Sequence, residues 1–206
     1  MARTAAVIPV RALEGAKSRL GDVLDAEERR DLVARLLVRT VEAARAAGIE
    51  DVLVVTDDPE ARTLASDAGA IALTQRKPGL NQALDEARRQ AVADGARVLV
   101  VLPVDLPLVD EAAVTGLVAA LGAETDDAPT VVLVPDRHGT GTNALALRPP
   151  DVIRFAFGAS SRAAHEALAA QAGARYVELD SPLAIDLDTP EDLLLVEDRL
   201  VGTDVA

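Results

Sequence analysis

Three aspartates lie where a carboxylate is costly unless a cation, a hydrogen-bond partner or a helix end accompanies it. Asp105 stands between two prolines in an otherwise apolar run that follows a predicted core strand. Asp186 and Asp188 occupy alternate positions, so in an extended segment both can face one Mg²⁺ together with Asp105. Asp188 and Thr189 are also good helix caps. These aspartates predict a magnesium site, with turn formation and helix capping as the alternative.

The loop from Pro9 to Leu20 carries three cations, Arg11, Lys17 and Arg19. Cations at the end of a strand can hold phosphate groups, and Lys17 is one of only two lysines in the chain. The loop is neither a Walker A loop nor a GxGxxG fingerprint. A phosphate site and a merely solvated basic loop are therefore equally compatible with this segment.

Two further segments are rich in glycine and hydroxyl groups. The stretch from Pro135 to Asn143 contains two glycines and two threonines, which suit close contact with phosphate or carboxylate oxygens. Ser160 and Ser161 open a predicted helix, whose first N–H groups form an anion site, and the alternative is an ordinary serine cap. We expect His138, which has no acid or nucleophile beside it in sequence, to be an exposed loop residue and not a catalytic base.

Gly79 and Asn81 stand at the start of another predicted helix. A glycine allows a planar base to approach the backbone, and the amide of Asn81 can read the edge of that base. Asparagine at this position is more often a helix cap. The segment therefore indicates either a nucleotide-base contact or a simple helix start.

Strands alternate with helices along the chain, which predicts a mostly parallel, doubly wound α/β sheet. In such a sheet ligands bind beyond the carboxyl ends of the strands, so the loops after the first, third, fourth and sixth strands should carry the chemistry. The predicted strands are 5–10, 51–56, 70–74, 97–102, 130–134, 143–147, 175–178 and 183–185. The predicted helices are 25–47, the segment between Asp58 and Gly69, 80–94, 110–121, 160–172 and 189–200.

Composition narrows the class of protein further. A length of 206 residues predicts a single domain over 1–206, and a 50% hydrophobic content with 1% aromatics suits parallel strands of Val, Leu, Ile and Ala. A formal charge of −13 opposes nucleic-acid binding. The absence of cysteine and of any long apolar run leads us to expect a cytoplasmic protein with no membrane segment.

The chemistry-bearing segments, taken in order, resemble the 2-phospho-L-lactate or phosphoenolpyruvate guanylyltransferase family of deazaflavin coenzyme F-420 biosynthesis, the CofC family. The resemblance spans nearly the whole chain. It is carried by the segments Ile8-Pro9-Val10-Arg11, Lys17-Ser18-Arg19-Leu20, Gly79-Leu80-Asn81, Leu102-Pro103-Val104-Asp105-Leu106-Pro107, Asp136-Arg137-His138-Gly139-Thr140-Gly141-Thr142-Asn143, Phe155-Ala156-Phe157-Gly158 and Asp186-Leu187-Asp188-Thr189-Pro190.

The resemblance implies a nucleotide-diphospho-sugar transferase-like (Rossmann-like) fold and Mg²⁺-dependent transfer of the guanylyl part of GTP to a small phosphorylated three-carbon acid, with release of pyrophosphate. Lys17, Arg19 and Asp105 are then the expected catalytic residues. The other implied roles are a metal site of Asp105, Asp186 and Asp188, an acid site of Thr142, Gly158 and Ser161, and nucleotide contacts from Pro9, Val10, Arg11, Lys17, Gly79 and Asn81.

The chain departs from the family pattern at two places. Arg11 stands where family members often have lysine, and Ala159 and Arg162 alter the stretch after Gly158, which leaves Ser160 as an alternative to Ser161. The rival functions are another nucleotidyltransferase of the same fold, of the molybdenum-cofactor or sugar type, and a non-catalytic GTP-binding regulatory protein. Phosphoenolpyruvate is favoured over 2-phospho-L-lactate and 3-phosphoglycerate, and a homodimer is left open.

Overall fold

The computed structural model describes residues 3–13, 15–123 and 128–201, with side chains up to Val196. The strands are β1 (Thr4–Pro9), β2 (Asp51–Thr56), β3 (Ile71–Thr74), β4 (Val98–Val101), β5 (Thr130–Pro135), β6 (Thr142–Arg148) and β7 (Arg175–Glu178). The α-helices are α1 (Ala26–Ala46), α2 (Pro59–Asp67), α3 (Leu80–Ala93), α4 (Glu111–Ala119), α5 (Ser161–Gln171) and α6 (Pro190–Val201). Short 3-10 helices lie at Ser18–Leu20 and Pro182–Ala184.

The strands form one seven-stranded sheet in the order β3-β2-β1-β4-β6-β5-β7. Strand β6 is antiparallel to both of its neighbours, β4 and β5, and the other adjacent pairs are parallel. The predicted mostly parallel sheet is thereby confirmed. The antiparallel strand corrects one expectation, because the start of β6 and not its end lies at the carboxyl edge of the parallel strands.

Apolar side chains cover both faces of the sheet. Ile8 of β1 packs in one buried cluster with Leu37 of α1 and Val114 of α4. Val7 points the other way, into a second cluster with Leu84 of α3 and Ala169 of α5. Alternate side chains of a strand face opposite sides, so a strand covered by helices on both sides must be apolar at every position.

Polar caps fix the ends of the helices near the carboxyl edge. Asp25 and Glu28 form a reciprocal capping box at the start of α1. Asp58 caps α2, and its Oδ2 also accepts a hydrogen bond of 2.8 Å from the Leu13 N–H. Burial acts to raise the pKa of Asp58, but its backbone N–H donors outweigh burial and lower it. The α2 cap therefore also holds the loop that follows β1.

The predicted strand at 183–185 is wrong. Residues Pro182–Ala184 form a 3-10 helix instead. Ser181 caps it by accepting a 3.3 Å hydrogen bond from the Leu183 N–H, and Pro182 supplies a backbone angle already suited to the first helical position.

Nothing in the described part of the chain resembles a membrane span, since no helix there is both long and apolar enough to cross a bilayer.

Candidate active site

The ammonium group of Lys17 lies between two of the predicted metal-site carboxylates. Its Nζ is 3.1 Å from Asp105 Oδ2 and 2.8 Å from Asp188 Oδ1, and only 10% of the side chain is exposed. Burial by itself would lower the pKa of Lys17, but the two carboxylates more than compensate and raise it. Lys17 is therefore a fixed positive charge at neutral pH.

Lys17 adopts an uncommon backbone conformation to reach this position. Its φ is 50°, in the left-handed region that non-glycine residues rarely occupy. It immediately precedes the 3-10 helix Ser18–Leu20. A strained residue that carries a largely buried charge is typical of a functional site, where neighbouring contacts maintain the strain.

Asp105 and Asp186 reach the same place from separate segments. Asp105 follows β4, and its carbonyl oxygen accepts a 2.9 Å hydrogen bond from the Leu187 N–H. Burial, followed by the nearby charges of Asp105 and Asp188, raises the pKa of Asp186 above its usual value. The structure thus brings the three predicted carboxylates, Asp105, Asp186 and Asp188, into one electrostatic cluster.

Asn143 positions part of this cluster, a role that was not predicted. Its buried side-chain amide donates to the Leu183 carbonyl at 3.1 Å and to Asp186 Oδ1 at 3.4 Å. Asn143 was visible in sequence only as the last polar residue of the glycine- and threonine-rich stretch. Its partners lie 40 and 43 positions away, so no local pattern could identify them.

The chemistry of these donors fits a hard divalent cation such as Mg²⁺. Three carboxylates with one ammonium group leave a local excess of negative charge, and the charges of Asp105 and Asp188 add to the larger effect of burial in raising the pKa of Asp186. In the present arrangement the described residues contain no group of three or more acidic or histidine side chains that could hold a metal. The predicted metal site therefore remains a prediction, with Lys17 placed between two of its proposed ligands.

Asp192 anchors the backbone of the acidic segment at Asp188 and Thr189, a role that its position in the first turn of α6 does not reveal from sequence. The side chain is 3% exposed, and its Oδ2 accepts hydrogen bonds from the N–H groups of Asp188 and Thr189 at 2.9 and 2.7 Å. Burial would raise the pKa of Asp192, but these donors and Arg137 lower it. Arg137 forms an ion pair with Asp192 at 2.5 Å and so joins the glycine- and threonine-rich loop to α6.

Asp136 shapes that loop from within. Its Oδ1 accepts from the Thr140 N–H at 2.8 Å, and its Oδ2 accepts from the Thr140 hydroxyl at 3.2 Å. A Cβ at Gly141 would lie 2.7 Å from Asp136 Oδ2, so any other residue there would displace the Asp136 side chain. The structure therefore explains Gly141 and Thr140 by internal packing of the loop, and it leaves Thr142 for ligand contact.

The three predicted acid-site residues are brought together at the start of α5. The Ser161 N–H donates to the Gly158 carbonyl at 3.2 Å. The backbone N–H of the next residue, Arg162, donates to the carbonyl of Thr140 at 3.2 Å, and Thr140 is two positions before Thr142. Thr142 and Ser161 are buried, with exposed fractions of 8% and 2%. An α-helix start with two buried hydroxyl groups is a suitable site for an anion.

Ser160 and Ser161 differ clearly in environment. Ser160 is exposed, has a φ of 56° and makes no side-chain capping bond, so the alternative of an ordinary serine cap is not formed. Ser161 is 2% exposed as a residue, but its hydroxyl is not among the fully buried side-chain atoms without a partner in the described part of the chain. Because Ser161 lines the inside of this helix start and Ser160 faces solvent, Ser161 is the better candidate for contact with a ligand.

Asn81 contacts the protein backbone on both sides of its amide. Its Oδ1 accepts from the Phe157 N–H at 2.9 Å, and its Nδ2 donates to the Phe157 carbonyl at 3.0 Å. The helix cap is Gly79, with a φ of 106°, and not Asn81. Asn81 therefore fixes the segment that leads to Gly158, in addition to any contact with a nucleotide base.

Four other residues considered from the sequence, which are Val10, Arg11, Arg19 and His138, lie in the core or at the exposed surface. The side chain of Val10 is 2% exposed, and its N–H donates to the Val55 carbonyl, so Val10 is a core residue of the loop that begins after Pro9. Arg11 is exposed. Arg19 is 75% exposed at the rim, 3.8 Å from Asp188. His138 is exposed, as expected, and accepts a hydrogen bond from Arg137.

The sheet and the position of the site define a nucleotidyltransferase-like fold. One matching structure is that of a protein from Desulfovibrio desulfuricans G20 described as a nucleotide-diphospho-sugar transferase. The match has a TM-score of 0.73 and 18% identity, and it covers 95% of this chain and 87% of that one. A CMP:2-keto-3-deoxy-manno-octonic acid synthetase solved with CTP matches with a TM-score of 0.63 and 17% identity, over 98% and 99% of the two chains. The predicted fold class is therefore confirmed.

Sequence comparison then gives the family. Residues 4–203 match the family described as "Guanylyl transferase CofC like". The chain is 46% identical to a phosphoenolpyruvate guanylyltransferase of Rubrobacter xylanophilus, over 93% of this chain and 92% of the relative. It is 45% identical to an enzyme of the same name from Sphaerobacter thermophilus, over 92% and 90%. The chain belongs to the CofC-like guanylyltransferase family and is a nucleotidyltransferase.

Proposed function

We propose that this enzyme transfers the guanylyl group of GTP to phosphoenolpyruvate and releases pyrophosphate, as an early step of coenzyme F-420 biosynthesis. The observation that carries the proposal is the largely buried Lys17 side chain, whose ammonium group is held by Asp105 and Asp188 at the carboxyl edge of the sheet. A nucleotide triphosphate needs positive charge at such a place. The names of the Rubrobacter and Sphaerobacter relatives support the choice of GTP and phosphoenolpyruvate.

In the reaction an ionised phosphate oxygen of the acid forms a bond to the α-phosphorus of GTP. The bond from the α-phosphorus to the oxygen that bridges to the β-phosphate breaks, and pyrophosphate leaves with the electron pair. The attacking oxygen is already ionised, so a general base contributes little, and positioning and charge neutralisation carry the catalysis. Lys17 and, from the rim, Arg19 supply protein cations for this purpose.

Asp105, Asp186 and Asp188 would hold Mg²⁺. When bound, the ion supplies charge neutralisation at the reacting phosphates. The chemistry of the three carboxylates supports this assignment, as do the negative charges of Asp105 and Asp188, which add to burial in raising the pKa of Asp186. The protein's own part is to orient Asp186 through Asn143 and to hold Asp188 through its backbone bond to Asp192.

The acid would bind at the start of α5. The hydroxyl groups of Thr142 and Ser161 can donate to its oxygens, and the absence of a side chain at Gly158 leaves the backbone accessible. Gly158 is exposed and has a φ of 133°, which any other residue would adopt only with strain. These features support an anionic substrate without separating phosphoenolpyruvate from 2-phospho-L-lactate.

A direct assay tests the proposal. The protein is incubated with GTP, Mg²⁺ and one acid at a time, with phosphoenolpyruvate, 2-phospho-L-lactate and 3-phosphoglycerate each in turn, while pyrophosphate and product mass are measured. We expect pyrophosphate and a guanylylated product with phosphoenolpyruvate, and little product when CTP or ATP replaces GTP. If no acid gave pyrophosphate or a guanylylated product, the proposed function would be excluded. A product with 2-phospho-L-lactate alone would show that this acid, and not phosphoenolpyruvate, is the substrate.

Two aspartate variants test the site. Asp105→Asn should reduce pyrophosphate release at least about 100-fold, because it removes a proposed Mg²⁺ ligand and one of the two carboxylates that hold Lys17. Asp67→Asn, an exposed residue of α2, is the matched control and should behave like the wild type. His138→Ala should also retain near-normal activity. Near-normal turnover by Asp105→Asn would contradict the assignment of this carboxylate to the reaction.

A further inference from the structure

His165 is a buried titratable residue to which the proposed reaction assigns no role. It lies on α5, one helical turn after Ser161, and its exposed fraction is 0%. Its ring packs against the ring of Phe157 in an edge-to-face arrangement, with ring centroids 5.0 Å apart and an interplanar angle of 72°. An imidazole at a fully buried position is costly unless both of its nitrogen atoms have partners.

Both ring nitrogens have partners, and these partners determine the tautomer. The Ala156 N–H lies 3.0 Å from Nε2, and a backbone N–H can only donate. Nε2 must therefore accept, and a neutral ring carries its proton on Nδ1. Nδ1 is 3.0 Å from Thr142 Oγ1, so the ring donates to the threonine oxygen.

The neutral form of the ring is favoured by its surroundings. Burial, with a smaller contribution from the positive charge of Arg154, lowers the pKa of His165 to about 4. The ring is therefore uncharged at neutral pH. No carboxylate is hydrogen-bonded to it in the described part of the chain.

The direction of the bond from His165 decides what Thr142 can do. Since Thr142 Oγ1 accepts from the ring, its own hydroxyl hydrogen is free to point elsewhere. Thr142 Oγ1 has no second hydrogen-bond partner among the described residues. The hydroxyl group therefore has one hydrogen left to donate, at the site where the Ser161 hydroxyl likewise has no partner within the described ranges.

We propose that His165 is a positioning residue that makes Thr142 a hydrogen-bond donor toward the acid substrate. The same ring holds the Ala156 N–H, and with it the segment that Asn81 fixes at Phe157, next to Gly158. The His165 side chain thus contacts two parts of the acid site, Thr142 and the segment from Ala156 to Gly158. This inference rests on the proposed function, because it assumes that an anionic acid binds beside Thr142.

The tautomer is tested without any activity measurement. The chain has only two histidines, so ¹⁵N-labelled His138→Gln protein shows the resonances of one imidazole. We expect the nitrogen shifts of a neutral ring that is protonated at Nδ1 and unprotonated at Nε2, at neutral pH. A ring protonated at Nε2 would overturn the proposal, whether or not the protein transfers guanylyl groups.

Kinetics test the effect on the substrate. For His165→Leu we expect a rise of about ten- to a hundredfold in the KM for phosphoenolpyruvate, with the KM for GTP within about twofold of the wild type. His165→Gln, whose amide can still donate to Thr142, should recover part of the loss. An equal rise in both KM values would show a general structural role and would overturn the proposal.

A double-mutant cycle separates positioning from packing. If His165 acts through the Thr142 hydroxyl, His165→Leu should change the KM for phosphoenolpyruvate by less than about threefold in a Thr142→Val background. Independent, multiplicative effects would contradict the proposal. Should His165→Leu fail to fold, as judged by circular dichroism, the decision rests on His165→Gln and the nitrogen shifts. If the wild type makes no product with any acid, the proposed function fails while the tautomer result still stands.

Discussion

The Lys17 ammonium group lies 2.8 Å from the Asp188 carboxylate, although the two residues are 171 positions apart in the chain. The contact joins the loop after β1 to the segment before α6. Asp105, 3.1 Å from the same ammonium group, adds the segment after β4. One cation thereby ties together three segments at the carboxyl edge of the sheet, where an α/β fold of this kind binds its ligands.

Removing the charge of Lys17 should impair both stability and activity. In Lys17→Met the carboxylates of Asp105 and Asp188 lose their shared cation, and we expect the free energy of unfolding to fall by about 1–2 kcal/mol. Guanylyl transfer should fall at least about 100-fold. Arg35→Met, which removes an exposed charge from α1, is the control. Chemical denaturation and pyrophosphate release measure the two effects, and a Lys17→Met enzyme within threefold of the wild type would argue against this role.

Asn81 should matter through Phe157. In Asn81→Asp one carboxylate oxygen would face the Phe157 carbonyl, where the amide now donates, and we expect a loss of about 1–3 kcal/mol in unfolding free energy. The KM for the acid should rise because Phe157 precedes Gly158. Arg89→Ala, at an exposed position of the same helix, should change neither quantity. An Asn81→Asp protein with altered KM for GTP alone would instead favour a base contact.

Asp192 should contribute to the site without touching a substrate. Asp192→Asn removes a buried negative charge that is paired with Arg137 and accepts three hydrogen bonds, so we expect it to cost about 2–3 kcal/mol of stability. Activity should also fall, because the backbone of Asp188 loses its anchor. Glu191→Gln changes the neighbouring, exposed acid of α6 and serves as the control. Equal melting temperatures for the two variants would count against the anchoring role.

The buried His165 should make stability depend on pH. The pKa is about 4 in the folded protein and about 6.5 for an ordinary imidazole, so below pH 6.5 the unfolded chain binds a proton that the folded protein does not. The contribution of the neutral His165 ring to the free energy of unfolding is fully present above about pH 6.5. It is lost progressively as the pH falls to about 4, and the total loss is about 3 kcal/mol. Asp186, whose pKa is raised, acts in the opposite direction.

A comparison with His165→Gln isolates this contribution. Glutamine does not titrate, so the difference in unfolding free energy between the two proteins should shrink as the pH falls from 6.5 to 4. Urea denaturation at several pH values measures it. Parallel stability curves across this range would show that the ring is not held neutral in the folded protein.

Local sequence patterns predicted most of the helices and strands correctly, because apolar periodicity and capping residues act within a few positions. Two predictions failed for identifiable reasons. The segment 183–185 is too short for periodicity to separate a strand from a 3-10 turn, and Ser181 and Pro182 decided the outcome. The direction of β6 depends on its pairing with β4 and β5, which no local pattern encodes.

The candidate site divides in the same way. By itself the sequence determined the α/β class, the acidic and hydroxyl residues at the strand ends, and through its resemblance the family, because these depend on residue type and order along the chain. Only the tertiary structure placed Lys17 between Asp105 and Asp188, turned Asn81 toward Phe157, and joined His165 to Thr142. Those contacts depend on how distant segments meet at one edge of the sheet, and spacing along the chain does not report such distances.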